Sequence, residues 1–201
     1  MDRECLNESR GKVLNNNNII LRYLEASDAE SLLQLRKENR QFFQAFEPIR
    51  TESHFTYEEQ LKEIQKATLD IEKDSSYIYG IFHRETQQLV GRITLSGIVR
   101  GPFQNANLGY YLDKKYNGKG YVTEAVRLTL DLAFYELQLH RVQAAVMPRN
   151  IASKRILEKT GFIKEGYSPR YLKINGSWED HEIYAITKED VELVLKSIQI
   201  N

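Results

Sequence analysis

The spacing of apolar residues predicts a chain of alternating strands and helices. A short apolar run over residues 19–24 is typical of a strand, and a helical pattern follows the candidate caps Ser27 and Asp28. From Tyr57 to Ile71, apolar positions recur at intervals of three and four residues, which predicts one amphipathic helix. The next apolar segments predict an antiparallel meander of three strands, over residues 77–82, 89–95 and 107–112.

The second half of the chain continues this alternation. A long apolar stripe runs from Val122 to Leu137 and predicts a helix. A short helix is expected between Asn150, a favourable N-cap residue, and Gly161, which suits the left-handed backbone that often ends a helix. The remaining predicted elements are strands over residues 141–146, near 162–167 and near 178–186, and a terminal helix from about residue 188.

The first 17 residues differ from the rest of the chain. They are polar and hold too little apolar surface to offset the entropy lost on ordering, so we expect residues 1–17 to form a tail. No internal repeat or linker interrupts the pattern that follows. The sequence therefore predicts a single mixed α/β (α+β) domain over residues 18–201.

Composition argues against several classes of protein. Lys and Arg number 28 and so do Asp and Glu, and proteins that rely on bulk attraction to nucleic acid or anionic lipid are usually far more basic. No stretch approaches the roughly 20 apolar residues that cross a bilayer, and the start of the chain is too polar for a secretory signal. Cys5 is the only cysteine and the four histidines lack metal-ligand spacing. We therefore expect a cytoplasmic protein without a metal site, without membrane association and without direct nucleic-acid binding.

The segment between the third meander strand and the long helix has the features of an anion site. Gly118 and Gly120 lie two apart just before the helix, where glycines let successive amides point into one concavity. The first turn of a helix adds N–H groups without intrahelical partners and a partial positive charge, which suit phosphate or pyrophosphate. Lys115 and Lys119 add positive charge. A tight turn that binds nothing explains two such glycines equally well, and the spacing matches neither a P-loop nor a G-x-G-x-x-G fingerprint.

The surrounding residues resemble a known family. Lys115-x-x-Gly118-x-Gly120, followed by Tyr121-Val122-Thr123-Glu124-Ala125, resembles the coenzyme A loop Q/R-x-x-G-x-G/A of the GNAT acetyltransferase superfamily, with lysine where that pattern has Gln or Arg. Leu139-His140-Arg141, Asn150-Ile151-Ala152-Ser153 and Leu157-Glu158-Lys159-Thr160-Gly161-Phe162 are similar to the Rim branch, the ribosomal-protein Ala/Ser N-terminal acetyltransferases. The similarity spans roughly residues 19–187 and includes Ile20-Leu21-Arg22 and the segment Asn175 to His181.

The resemblance implies a GNAT fold and a place for acetyl-CoA. The fold is a predominantly antiparallel central sheet, flanked by helices, in which the strand ending at Leu112 splays from the parallel strand over residues 141–146. The pantetheine arm lies in that gap, and an exposed N–H near Tyr111 polarises the thioester carbonyl. The implied cofactor-binding residues are Tyr110, Tyr111, Leu112, Lys115, Asn117, Gly118, Lys119, Gly120, Tyr121, Val122, Asn150 and Ser153.

The resemblance also implies catalytic and acceptor residues. Ser153 is the candidate donor to the departing thiolate and Asn150 a donor to pantetheine, although capping of a helix alone also explains Asn150. Phe46 and Glu47 are implied to lie over the acceptor site, where an acid would attract a cationic amine; a place in the core and a turn is the alternative. No residue is singled out as the general base.

The expected function is acetyl-CoA-dependent N-acetyl transfer to the α-amino group of a protein, with a ribosomal protein as the implied acceptor. Two alternatives remain open at this point. One is acetylation of a small amine such as a polyamine, an amino acid or an antibiotic, and the other is a non-catalytic module that binds acyl-CoA. The sequence is compatible with a monomer or a homodimer.

Overall fold

A computed structural model describes residues 13–192. Most of the expected tail, residues 1–12, lies outside the described residues, as do residues 193–201 of the predicted terminal helix. The first strand, β1, lies within the segment 1–17, so the sheet begins before the expected domain boundary. β1 pairs with the strand that starts at Ile19.

The described strands form one eight-stranded sheet with the order β1-β2-β3-β4-β5-β6-β8-β7. All neighbouring strands are antiparallel except β5 and β6. This confirms the predicted sheet, including the meander formed by β3, β4 and β5. The strands are β1 Leu14–Asn15, β2 Ile19–Tyr23, β3 Ser76–His83, β4 Leu89–Val99, β5 Asn105–Leu112, β6 Arg141–Val146, β7 Ile163–Ile174 and β8 Ser177–Thr187.

Helices cover both faces of the sheet. The α-helices are α1 Ala29–Glu38, α2 Arg40–Gln44, α3 Tyr57–Glu72, α4 Tyr121–Asp131 and α5 Ile151–Lys159. The predicted long helix is α4 followed by a π-helical turn over Leu132–Glu136, and residues 188–192 begin the terminal helix. No helix within residues 13–192 is long and apolar enough to span a membrane.

Alternation along the strands divides the core between the two faces. In β3, Ile81 packs into the larger cluster with residues of α4, whereas its neighbour Phe82 packs into a smaller cluster with residues of α1 and α3. Both side chains are almost fully buried, at 0% and 2% exposed. The sheet is therefore a central layer with an apolar core on each side, and the loops at its edges are free to build a site.

The parallel pair separates after a short contact. β5 and β6 pair at three positions, Asn105 with Arg141, Ala106 with Val142 and Asn107 with Gln143. At the last of these, the Gln143 side-chain amide donates a 2.7 Å hydrogen bond to the Asn107 amide oxygen. Beyond Asn107, β5 continues to Leu112 but no longer pairs with β6. The predicted splay between the two strands is therefore confirmed.

Candidate functional site

Two cavities lie along the separated end of β5. The larger, of about 360 Å³, lies between α2, the end of β5 and the start of α5. The smaller, of about 290 Å³, lies between the loop before α4 and the outer face of α5. Leu112, Val122 and Ile156 line both cavities, which are therefore two parts of one groove.

The open edge of β5 presents backbone groups to this groove. The N–H of Asp113 donates to the Val90 carbonyl on β4. Because an antiparallel ladder alternates, Tyr111 also turns its N–H towards β4, whereas Tyr110 and Leu112 turn theirs towards the gap. The exposed N–H groups near Tyr111 therefore belong to its two neighbours. Backbone groups at this edge need partners from outside the sheet.

The loop before α4 supplies a second set of donors. Gly118 and Gly120 have positive φ angles of 79° and 84°, and Gly120 is the N-cap of α4. Within the described part of the chain, no hydrogen bond uses the backbone N–H of residues 118–123. A methyl group at either glycine would meet no atom within 4 Å. Both glycines line the smaller cavity, so this end of the groove is built to receive an oxygen-rich anion.

Positive charge at the smaller cavity comes from α5. Arg155 and Lys159 line this cavity. The Lys115 ammonium instead forms a 2.7 Å ion pair with Glu38, and this hydrogen bond raises the pKa of Lys115. The Lys119 ammonium lies 4.9 Å from the centre of the Tyr116 ring. Neither of these two lysines lines the groove.

Asn150 and Ser153 lie together at the larger cavity. The Asn150 side-chain oxygen accepts a 3.1 Å hydrogen bond from the Ser153 backbone N–H, which caps α5. The Asn150 side-chain nitrogen donates no hydrogen bond to any residue in the range 13–192. Asn150 therefore performs the capping role and still presents a donor to the cavity.

The Ser153 hydroxyl has a partner that sequence analysis did not identify. Its oxygen lies 2.7 Å from the Tyr110 hydroxyl oxygen. Burial raises the pKa of Tyr110 to about 12, although the hydrogen bond with Ser153 opposes this rise. Tyr110 therefore stays protonated near neutral pH and is able to donate a hydrogen bond.

Aromatic rings and one carboxylate form the far wall of the larger cavity. Phe46 and Glu47 line it as expected for residues near an acceptor, together with Phe42 and Phe43, which sequence analysis had not placed in the site. Glu47 accepts a 2.9 Å hydrogen bond from the buried guanidinium of Arg36. Glu47 is the only carboxylate among the described residues that line this cavity, and the buried Arg36 holds it in place.

A second carboxylate, that of the half-buried Glu63, pairs with two basic side chains. Glu63 contacts His54 at 3.3 Å and Arg92 at 3.1 Å. Burial acts to raise the pKa of Glu63, but the hydrogen bond with His54 and the charge of Arg92 lower it to about 2. Arg92 pairs with Tyr111 across β4 and β5, so this network supports the floor of the cavity. Within residues 13–192, no three or more His, Cys, Asp or Glu residues are grouped as metal ligands would be.

Comparison with known proteins identifies the family. The family model described as "Acetyltransferase (GNAT) domain" matches residues 18–163. The chain belongs to the GNAT acetyltransferase family. The splayed strands and the loop of free amides are therefore features of a GNAT fold, and the family expected from the sequence motifs is confirmed.

Relatives of this GNAT chain include ribosomal-protein acetyltransferases. A probable N-acetyltransferase, YjcK of Bacillus subtilis (strain 168), is 49% identical over 90% of this chain and 99% of the relative. A solved structure of ribosomal-protein-S5-alanine acetyltransferase from Vibrio fischeri has a TM-score of 0.85 and 31% identity, covering 89% of this chain and 98% of that one. Mycobacterium smegmatis RimJ, solved in complex with CoA-disulfide, has a TM-score of 0.83 and 25% identity, covering 93% and 94%. The GNAT chain is thus an N-acetyltransferase related to the Rim-type enzymes.

Proposed function

We propose that this enzyme transfers the acetyl group of acetyl-CoA to the N-terminal α-amino group of a protein, with a ribosomal protein as the acceptor. The observation that carries the proposal is the continuous groove, which has free amides at one end and Ser153 and Glu47 at the other. An α-amine has a pKa of about 7.7–8.0, against about 10.4 for lysine, so a useful fraction is uncharged near neutral pH. Such an acceptor has little need of a strong general base. A cytoplasmic reaction fits this acceptor.

The groove fits acetyl-CoA through three groups of residues. The unbonded amides of residues 118–123 receive the pyrophosphate, and Arg155 and Lys159 supply positive charge beside it. Tyr110 and Leu112 pair their backbone groups with the pantetheine amides along the open edge of β5. Asn117, Tyr121 and Val122 close the wall between these points. Lys115 and Lys119 contribute only longer-range positive charge, because their ammonium groups lie outside the groove.

The larger cavity arranges the transfer itself. Glu47 attracts the cationic acceptor amine into the cavity beside the Phe46 ring, and solvent takes one proton from the amine before it attacks and a second as the amide forms. The N–H groups exposed on β5 polarise the thioester carbonyl, and negative charge develops on its oxygen as the new bond to nitrogen forms. Ser153 donates its hydroxyl proton to the sulfur as the carbon–sulfur bond breaks. Asn150 donates its free side-chain N–H to the pantetheine arm of the cofactor.

The proposal is tested by following thiol release from acetyl-CoA across a panel of acceptors. Peptides with Ala, Ser or Met at the N-terminus are compared with a polyamine, free amino acids and an aminoglycoside. A peptide with a blocked N-terminus and one internal lysine serves as the matched control. We expect turnover with free N-termini and none with the blocked peptide. Turnover with small amines alone would reject protein N-termini as acceptors in favour of small amines. Tight acetyl-CoA binding without turnover of any acceptor would favour a non-catalytic module.

The role of Ser153 is tested separately with Ser153→Ala. We expect kcat to fall by about 10²-fold or more, within the range of general acid catalysis, while acetyl-CoA affinity changes little. An unchanged kcat would reject Ser153 as the donor.

A further inference from the structure

We propose that Tyr110 is a positioning residue that directs the Ser153 hydroxyl towards the departing sulfur. The inference rests on the proposed function, because it takes Ser153 as the donor. Its basis is the 2.7 Å contact between the two hydroxyl oxygens at the wall of the larger cavity. The two residues are 43 positions apart, on β5 and α5, and both line the cavity in which the thioester would lie.

The hydrogen bond with Tyr110 leaves the Ser153 hydroxyl free to donate its own hydrogen into the cavity. Within residues 13–192, Tyr110 provides the only side-chain hydrogen bond to the Ser153 hydroxyl. When Tyr110 donates to that oxygen, the Ser153 hydrogen is free to point into the cavity. A chain of hydrogen bonds with one polarity also strengthens its last donor. The protonated state of Tyr110 near neutral pH makes it a constant donor in this chain.

The opposite polarity is weaker in this geometry. If Ser153 donated to Tyr110, the Tyr110 hydrogen would have to turn to the Ser153 backbone oxygen, which lies 3.4 Å away. That distance is beyond the usual range for an O–H···O hydrogen bond. A sulfur that gains negative charge favours the arrangement in which both hydroxyls donate towards it.

The transfer balances with this pair in place. The acceptor nitrogen forms a bond to the acetyl carbon, and the carbon–sulfur bond breaks with its electron pair going to sulfur. Ser153 gives its proton to sulfur, and Tyr110 gives its own proton to Ser153. The acceptor amine enters as a cation and loses one proton to solvent before it attacks. Its nitrogen loses a second proton to solvent as the amide forms, and solvent returns one proton to Tyr110. The products are the acetylated amine and the free thiol.

A double-mutant cycle separates positioning from a structural role. We expect Tyr110→Phe to lower kcat about three- to ten-fold, as expected for loss of one hydrogen bond, with little change in KM for acetyl-CoA. In a Ser153→Ala background, Tyr110→Phe should change kcat no further. The matched control is Tyr79→Phe, which removes a core hydroxyl that donates at 3.0 Å to the Tyr23 hydroxyl, and it should leave kcat unchanged. An unaltered kcat for Tyr110→Phe, or an equal loss in both backgrounds, would overturn the proposal.

A second measurement needs no acceptor. CoA is bound to the wild-type protein and to each variant, and the pKa of its thiol is followed through the ultraviolet absorbance of the thiolate. We expect Tyr110→Phe and Ser153→Ala each to raise this pKa by about half a unit to one unit, because a donor to the thiolate is weakened or lost. Equal values in all three proteins would overturn the proposal. If the pKa of the CoA thiol shifts in the variants but no peptide is acetylated, the proposed acceptor is wrong and the proposed role of Tyr110 and Ser153 is supported. Failure of the protein to bind CoA would overturn both.

Discussion

Arg36 and Glu47 form a 2.9 Å ion pair in which the cation is buried and the carboxylate is partly exposed to a cavity. The Arg36 side chain is only 4% exposed, whereas that of Glu47 is 19% exposed and lines the larger cavity. The Arg36 guanidinium also lies 4.1 Å from the centre of the Tyr111 ring. A buried cation thus fixes a carboxylate at the surface where we place the acceptor amine.

Glu47→Gln should weaken acceptor binding selectively. We expect KM for a peptide acceptor to rise about ten-fold, because a neutral amide loses most of the attraction to a protonated amine. KM for acetyl-CoA should stay the same, since Glu47 lines only the acceptor end of the groove. The control is Glu52→Gln, which removes an exposed carboxylate paired with Arg40 and should alter neither constant. An acceptor KM equal to that of the wild type would exclude Glu47 from acceptor binding.

Arg36→Met should destabilise the protein. Removing one partner of a buried ion pair typically costs about 3–5 kcal/mol, and the partial exposure of Glu47 favours the lower end of that range. We expect the free energy of unfolding in urea to fall by about 3 kcal/mol at neutral pH. Arg40→Met serves as the control, because its side chain is 45% exposed and its pair with Glu52 contributes little. Equal denaturation midpoints for both variants would show that the Arg36–Glu47 pair stabilises the protein no more than the exposed Arg40–Glu52 pair does.

Gly118→Ala should separate backbone strain from ligand binding. Gly118 and Gly101 have similar positive φ angles of 79° and 70°, and an added methyl group meets no atom within 4 Å at either position. Each substitution should therefore cost roughly 1–2 kcal/mol of stability. Only Gly118→Ala should also weaken CoA binding, by about ten-fold, because Gly118 lines the smaller cavity. Calorimetric titration with CoA provides the measurement, and equal affinities in the two variants would place the pyrophosphate elsewhere.

Acid should destabilise the protein through Glu63. Its pKa is about 2 in the folded state against an ordinary value of 4.5. A lowered pKa stabilises the fold fully above pH 4.5, and this stability is lost as the pH falls towards 2. The difference corresponds to about 3 kcal/mol, so Glu63→Gln should flatten the dependence of unfolding free energy on pH in this interval. An equally steep acid dependence in Glu63→Gln would assign the transition to other carboxylates.

Features set by local sequence were predictable. β6 has the predicted bounds, 141–146, because its short run of mainly apolar residues is typical of a strand, and burial alternates along it from Arg141 to Val146. Gly161 adopts a φ of 90° just after α5, as expected for glycine at the end of a helix. The two glycines before α4 also indicated a turn with positive φ angles. Only the structure shows that the N–H groups of this turn donate no hydrogen bond to another described residue.

Features set by distant contacts were not predictable from the chain alone. β7 continues to Ile174, beyond the predicted end near residue 167, because a register shift between Ser168 and Leu172 accommodates Pro169 within the strand. Glu38 draws Lys115 away from the groove across 77 positions of sequence. No local pattern reports such a partner, which is why the sequence suggested that the loop lysines line the groove and the structure shows that they do not.

The turn between β7 and β8 is hydrogen-bonded to α2 and to the segment that follows it. The Asn175 backbone N–H donates to the Glu47 carbonyl at 3.1 Å, and Gln44 reaches the Asn175 side chain from 131 positions away. The hairpin thus holds the backbone of Glu47, whose side chain lines the larger cavity, and the conformation of one tight turn affects where that cavity wall lies. Under the proposed function, variation in this turn would change which N-termini the larger cavity admits, whereas the smaller cavity, which the turn does not line, would stay the same.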